Sequence, residues 1–403
     1  MAISIKEALE LIEIQKLSLK KESVPLQEAL GRVSARSYQA TLDLPGFDNS
    51  AMDGFAVRCS DEGKEVKVVA TIFAGQNVED LQVQEEEAIK IMTGAKLPKG
   101  TEAIVPIEDV EYLGERVVLP KKIKPKSHMR TRGEDVAKGS VIVHEGQTIT
   151  PYTIGLLASQ GYSYIEVFRR PRVAIFATGS ELVMHYEPIR GSMIYNSNTP
   201  SFLARCEELG CDVSFLGKVE DSLASIKETI QSALDADLII TSGGVSVGEA
   251  DFTKEAFKAM GMEILFSKID IKPGKPTTLG KIGDTFVLNL PGNPLAAVLN
   301  FELFGRFLIN RLKGRFDPYH RPILTRAKEK ITLKPGRDTI IPGFFDGESF
   351  EACQKRAPGM VSPAARMNGF VIASKEVSSL SKQLRFIPLW EFYSQEFMEI
   401  VSK

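Results

Sequence analysis

The sequence predicts a multidomain protein of α/β plus β class, with a doubly wound parallel α/β domain at its centre. Three observations carry that prediction. Strand-like and helix-like segments alternate from Val173 to Leu312, as in βαβ units on a parallel sheet. Short β-type runs punctuated by Gly and Pro fill residues 66–143 and 326–388 on either side. At 403 residues the chain exceeds one ordinary hydrophobic core, so roughly two to four domains are expected.

At the start, Ile5, Leu9, Ile12 and Leu17 fall at near-helical spacing behind Ser4, a residue suited to N-capping. A second short helix is expected from Pro25 to Leu30, closed by Gly31. Residues 45–57, PGFDNSAMDGFAV, are dense in turn formers yet carry Phe47, Met52 and Phe55. That combination reads as a binding loop anchored by its own apolar side chains. Asp48 and Asp53 are the carboxylates it can present, although turn chemistry alone explains either.

Strands follow at Val66–Phe73, Ala88–Met92, Ala103–Ile107, Arg116–Leu119 and Val141–Val143, a small β module. Within it, Met92-Thr93-Gly94-Ala95 offers a hydroxyl beside a glycine. Arg130–Asp135 sets two guanidinium groups beside two carboxylates, which an ordinary surface salt bridge also explains. Pro151 starts and Gly161 stops a helix, and a strand follows at Tyr164–Phe168. The β module therefore reads as an insertion in a split domain. The expected division is 1–44 with 145–169 (split helical domain), 45–144 (β-rich insert), 170–316 (α/β) and 317–403 (C-terminal β-domain).

In the α/β stretch, strands are expected at Val173–Ala177, Val213–Val219, Leu238–Thr241, Glu263–Phe266 and Thr285–Leu290. Helices are expected at Ser201–Leu209, Ser222–Ala233, Phe252–Met260 and Leu295–Leu312. Ligands of such folds sit at the carboxyl ends of the strands, which points to four loops: Thr178–Glu181, Glu220–Asp221, SGGVSVGEAD (242–251) and LPGNP (290–294). Tyr195-Asn-Ser-Asn198 lies just before the helix at 201. Gly243, Gly244 and Gly248 allow backbone N–H groups to approach an anion; a lone GG turn is more often a capped surface turn. The stiff turn IKPGKP (271–276) adds Lys272 and Lys275. Strand order gathers Glu181, Asp221 and Asp251 on one rim with these lysines. Carboxylates gathered beside lysines suggest Mg²⁺ held by oxygen ligands together with phosphate or oxyanion groups.

Past Pro318 the chain turns β-like again at Arg326–Leu333, Asp338–Ile341, Ser349–Gln354, Gly369–Ala373 and Gln383–Pro388, with Trp390–Val401 readable as helix or strand. A net charge of −2 gives no reason to expect nucleic acid, so any anion site must be a local device. Four cysteines form no C-x-x-C pair, and the four histidines do not cluster, which argues against zinc. With no disulfide framework and no basic-then-apolar leader, a reducing cytoplasm is expected. No apolar run approaches the roughly 20 residues of a membrane span.

Eight motifs, PGFDNSAMDGFAV (45–57), FAGQ (73–76), MTGA (92–95), RGEDV (132–136), TGSEL (178–182), SGGVSVGEADFTK (242–254), IKPGKP (271–276) and LPGNP (290–294), follow one another in order. Together they resemble the molybdopterin molybdenumtransferases, which include the C-terminal domain of gephyrin. The resemblance implies the last step of molybdenum cofactor synthesis. Adenylylated molybdopterin is bound, molybdate is inserted at the dithiolene, and the pyrophosphate link is cut to release AMP with Mg²⁺. It also implies an elongated homodimer whose site places Asp53, Thr93 and Asp135 opposite Glu181, Asp221 and Asp251. An upstream molybdopterin adenylyltransferase is the implied protein partner.

On that reading Asp221 and Asp251, with Glu181, position the metal, and Lys272 and Lys275 take the oxyanion. Amides of 243–248, with Ser246, hold phosphate; Pro291, Gly292 and Pro294 form a rigid wall; Arg337 and Ser362 contact ligand. Two departures stand out. Ser180 occupies a place where the family often has Asp, and DTIIPG (338–343) replaces the usual arginine-bearing strand. Rival readings are the adenylyltransferase itself and a non-catalytic gephyrin-like scaffold. A dinucleotide-binding oxidoreductase would need a G-x-G-x-x-G after the first α/β strand, which is missing.

Overall fold

The computed structural model describes residues 2–243 and 252–389. The chain forms two compact units: Arg36–His144 with Pro151–Tyr164, and Met1–Ala35 with Glu145–Thr150 and Ile165–Lys403. The stretch Trp390–Val401 lies outside the described residues.

The smaller unit is built on a six-stranded sheet in the order Ala103–Pro106, Gly54–Val57, Glu87–Ile91, Glu65–Ile72, Arg116–Val118, Glu111–Tyr112. Strand Gly54–Val57 is buried throughout. Alternation sends Phe55 and Val57 into one apolar cluster and Ala56 into another. Of the three apolar anchors expected in loop 45–57, only Phe55 is buried; Phe47 and Met52 are 41% and 36% exposed. Backbone hydrogen bonds hold the loop instead. Ser50 N donates to Ala95 O (3.0 Å), Gly94 N to Ser50 O (2.8 Å) and Gly133 N to Pro45 O (3.0 Å).

In the larger unit, helix Ile5–Glu13 begins with a capping box between Ser4 and Glu7 and buries Ala8 and Ile12 in the α/β core. Lys21–Pro25 is a strand paired with Tyr164–Phe168. The helix expected from Pro25 shrinks to a single 3₁₀ turn at Leu26–Glu28, because a partner strand overrides local propensity.

The central sheet contains β1 (Arg172–Thr178), β2 (Asp212–Val219), β3 (Leu238–Ser242), β4 (Glu263–Phe266), β5 (Thr278–Ile282) and β6 (Thr285–Leu290), in the order β2-β1-β3-β6-β5-β4. Helices α1 (Asn198–Glu208), α2 (Leu223–Ser232), α3 (Phe252–Ala259), α4 (Pro294–Asn300) and α5 (Arg306–Leu312) connect or follow the strands. The expectation of a wholly parallel sheet is corrected. β2, β1, β3 and β6 run parallel, but β5 and β4 join antiparallel. The cause is local: only Gly283-Asp284 separates β5 from β6, and Gly283 has φ +59°. A two-residue turn makes a hairpin, whereas a parallel neighbour needs a long crossover. The single long helix expected to Leu312 is interrupted by a π turn at Phe301–Gly305 between α4 and α5.

The last part of this unit is a closed barrel of β7 (Ile323–Ala327), β8 (Asp338–Phe345), β9 (Ser349–Ala352), β10 (Gly369–Ala373) and β11 (Leu384–Pro388). Each strand pairs with the next around the ring β8-β9-β7-β11-β10-β8. Phe345, Phe350, Val371 and Phe386 fill it. The DTIIPG sequence is the first part of β8, and Ile271–Lys272 of the IKPGKP turn adds to its edge.

A buried charge network latches the barrel to the helices of the α/β domain. Glu302, in the π turn, accepts from Arg205 Nε at 2.7 Å and lies 3.4 Å from Arg306 Nε. Both arginines donate onward to the end of β11: Arg205 to Leu389 O (2.8 Å) and Arg306 to Pro388 O (2.9 Å). Arg306 Nη2 also faces His320 Nδ1 at 3.0 Å, and His320 Nε2 faces Leu303 O at 2.9 Å. Arginine has only donors, so Nδ1 accepts and the imidazole is neutral. Burial, then the Arg306 charge, pushes its pKa down from 6.5 to about 4. Unfolded chain binds this proton below pH 6.5 and the folded protein does not, so stability falls as pH drops from 6.5 through 4. We expect a loss of up to roughly 3 kcal/mol from this residue across that window. His320→Gln keeps an acceptor and a donor, and should flatten that part of the pH profile in chemical denaturation.

Candidate active site

The chain leaves β1 for β2 on one side and returns to β3 on the other, which makes the gap between β1 and β3 the topological switch point. Register fixes what meets there: Ala177 of β1 is opposite Ser242 of β3, and Ser242 is opposite Leu290 of β6. The loops that follow are therefore neighbours. A cavity of about 540 Å³ opens at this edge, lined by Thr178, Glu181, Asn198, Ser242, Gly243, Gly292 and Pro294 among others. This is where open α/β sheets bind ligands.

One side chain ties the cavity together. Asn198, the first residue of α1, donates through Nδ2 to Ser242 Oγ (2.6 Å) and to Gly292 O (2.9 Å). Its Oδ1 is buried without a partner. Ser242 Oγ also reaches Pro291 O at 3.5 Å, and Thr178 Oγ1 meets Thr253 Oγ1 at 3.4 Å. Lys218, near the end of β2, donates to Leu182 O (2.6 Å) and Ser180 O (3.4 Å), which fixes the TGSEL loop. Gly243 is required twice over: its φ is +100°, and a Cβ there would stand 2.8 Å from Thr178 O.

The predicted site residues divide accordingly. Glu181, Gly243, Gly292 and Pro294 line the cavity, and the Glu181 carboxylate has no charged partner among the described residues. Asp221 lies two residues beyond β2 on the same sheet edge, outside the lining. Lys272 and Lys275 are exposed and also outside it. Their turn is pinned by Asn300, whose Nδ2 donates to Pro273 O at 3.1 Å. Ser362 and Arg337 are exposed on the barrel; Ser362 follows the lining residue Val361. Gly244, Ser246, Gly248 and Asp251 lie outside the described residues. Among the described residues, no three His, Cys, Asp or Glu side chains gather as a metal site.

One expected anion contact, the Gly243 amide, and the start of α4 are otherwise engaged. Gly243 N donates to Leu290 O at 3.3 Å. At the start of α4, after LPGNP, the N–H groups of Leu295 and Ala296 both point to Pro358 O, at 3.0 and 3.3 Å.

In the smaller unit, Asp53 Oδ1 accepts from both the backbone N–H and the hydroxyl of Thr93, each at 2.7 Å. The backbone bond first, then the hydroxyl, holds its carboxyl below the usual value. Arg132 pairs with Asp43 (2.6 Å) rather than with its sequence neighbours Glu134 and Asp135. Glu134 instead accepts from Thr131 N at 2.8 Å. That leaves Asp135 exposed, with its own N–H donated to Leu44 O.

Comparison with known proteins fits this geometry. Residues 3–161 match the MoeA N-terminal region (domain I and II), and residues 174–311 match a probable molybdopterin binding domain. The molybdopterin molybdenumtransferase of Staphylococcus aureus (strain MSSA476) is 33% identical over 390 residues, covering 91% of this chain and 93% of that one. The chain belongs to the molybdopterin molybdenumtransferase family. It is an enzyme of molybdenum cofactor biosynthesis that inserts molybdenum. The Haemophilus influenzae enzyme of the same name is 38% identical over 371 residues, 89% of this chain and 91% of that one. A crystal structure of a molybdopterin biosynthesis protein from Pyrococcus horikoshii OT3 superposes with a TM-score of 0.85 at 25% identity, covering 97% of this chain and all of that one. Among the described residues, no helix is long and apolar enough to cross a membrane.

Sequence reasoning missed Asn198, Ser242 and Lys218 as site-builders. The YNSN stretch before α1 was the available signal for Asn198. Gly243→Ala should cost about 1–3 kcal/mol, and Asn198→Ala, which breaks one buried and one part-buried hydrogen bond, a similar amount. Urea denaturation beside turnover checks both, and the turnover loss should exceed the stability loss in each.

Proposed function

We propose that the chain inserts molybdate at the dithiolene of adenylylated molybdopterin and cleaves the phosphoanhydride with water, releasing AMP. The observation that carries this reading is the cavity at the β1/β3 switch point, with the Glu181 carboxylate on its wall and without a charged partner among the described residues. A hard oxygen donor in that position suits Mg²⁺. Glu181, with Asp221 on the same sheet edge and Asp251, would hold the ion, which would supply charge neutralisation to the phosphoanhydride oxygens. The chain's own residues do the rest. Thr178 and Ser242 present hydroxyls to the ligand, and Asn198 keeps Ser242 and the Gly292 turn in register. Gly292 and Pro294 form a wall, and Lys272 and Lys275 attract the molybdate anion. Ser246 and the amides of Gly244 and Gly248 complete the phosphate contacts, with Ser362 and Arg337 as further ligand contacts.

The reading includes a cytoplasmic homodimer supplied by an adenylyltransferase, in which Asp53, Thr93 and Asp135 of one subunit serve the site of the other. Molybdate-dependent AMP release in Mg²⁺ should be lost in Asp251→Ala and Glu181→Gln, with folding unchanged. A folded dimer that releases no AMP under any condition would replace this reading with a binding role. Subunit mixing tests the shared site. Remixed Asp53→Ala and Asp251→Ala proteins should recover roughly a quarter of native activity, because each mixed dimer keeps one intact site. No recovery on remixing would put both residues in the same subunit's site.

A further inference from the structure

At the opposite edge of the sheet, where β1 and β3 begin, lies a second cavity of about 370 Å³. Arg32, Arg169, Arg170 and Lys313 line it, against Glu207 and Glu208. The charges do not cancel in place. Arg32 is paired with Glu22 and donates to Phe168 O (2.9 Å). Arg169 spends its Nη2 on both oxygens of Asp237, at 2.7 and 2.9 Å. Glu208 is taken by Arg205 at 2.8 Å, and Glu207 is exposed. That leaves Arg170, exposed and with no carboxylate partner among the described residues, and Lys313, whose Nζ donates only to Leu209 O (2.7 Å).

Two of the residues that line this cavity carry a donor with nothing to bond. The Thr148 hydroxyl and the Arg169 Nε are buried without partners. An unmet buried donor is unfavourable, and an acceptor-rich anion would relieve both at once. Burial first, together with Arg315, Arg170 and Arg32, pulls the Lys313 ammonium below its usual pKa. A bound anion would reverse that repulsion.

We propose that this cavity binds a tetrahedral oxyanion, either free or as the head group of a small organic phosphate whose body rests on Leu30 and Pro171. Arg170 and Lys313 supply charge, and Thr148 Oγ1 and Arg169 Nε supply directed hydrogen bonds. The site lies at the amino end of β1, away from the catalytic loops at its carboxyl end, so it is a second ligand site and not a subsite of the reaction.

Calorimetric titration of the full chain with inorganic phosphate and with phenyl phosphate tests this. One saturable site is expected that Arg170→Gln and Thr148→Val each weaken about ten-fold, the order expected for losing one charge-assisted or buried hydrogen bond. Asn198→Ala, at the catalytic edge, should leave that site intact. Arg170 is exposed, so its variant tests the idea even if Thr148→Val folds poorly. Tighter binding of phenyl phosphate would identify an organic phosphate as the ligand class; equal binding would identify the free oxyanion. The proposal is overturned by no saturable phosphate binding, or by binding that both variants leave unchanged and Asn198→Ala abolishes.

Discussion

Two hydrogen bonds from the Asn198 side-chain amide hold together the loops around the candidate site. They reach Ser242, 44 residues on, and Gly292, 94 residues on. Parallel pairing of β1, β3 and β6 already aligns the ends of these strands, but alignment stops where the strands stop. Past that point each loop must be held by something that costs little entropy. A buried amide with both hydrogens donated does so, because ordering one side chain restrains three segments. Next to Ser242, Gly243 lies so close to Thr178 that a side chain there would not fit. The cavity is thus a property of the clamp as much as of the strands.

The smaller unit solves a similar problem by different means. Of the expected apolar anchors of loop 45–57 only Phe55 is buried; neighbouring backbone groups bracket the rest, and Thr93 donates twice to Asp53. The result is a carboxylate fixed in direction yet open to water. That combination suits a group that must meet a ligand arriving from outside.

Much of the architecture was legible because it rests on local chemistry. Ser4 caps the opening helix as its position implied, and β1 to β3 follow their apolar runs closely. What was not legible rests on partners distant in sequence. Nothing in KESVP announces a strand until Tyr164–Phe168 lies beside it. The β5–β6 hairpin was within reach, since a Gly-Asp pair between two β-type runs is a turn signal, but the alternation of helices and strands suggested otherwise. Of the cavity lining, Glu181, Gly243 and Gly292 could be picked out from loop position. Asn198, Lys218 and Pro358 could not, because each acts through a bond to a backbone or side chain in another loop. Sequence shows the residues that could meet a ligand more readily than those that hold them there.

The carbonyl of Pro358 has a wider meaning. A helix N-terminus is an attractor for negative charge, and α4 starts beside the cavity. By giving its first free amides to a neutral peptide oxygen from the barrel, the fold removes that attractor from the cavity. The barrel is therefore an electrostatic screen as well as a wall. A chain cut before the barrel would expose an indiscriminate anion trap at the edge of the cavity, open to any phosphate.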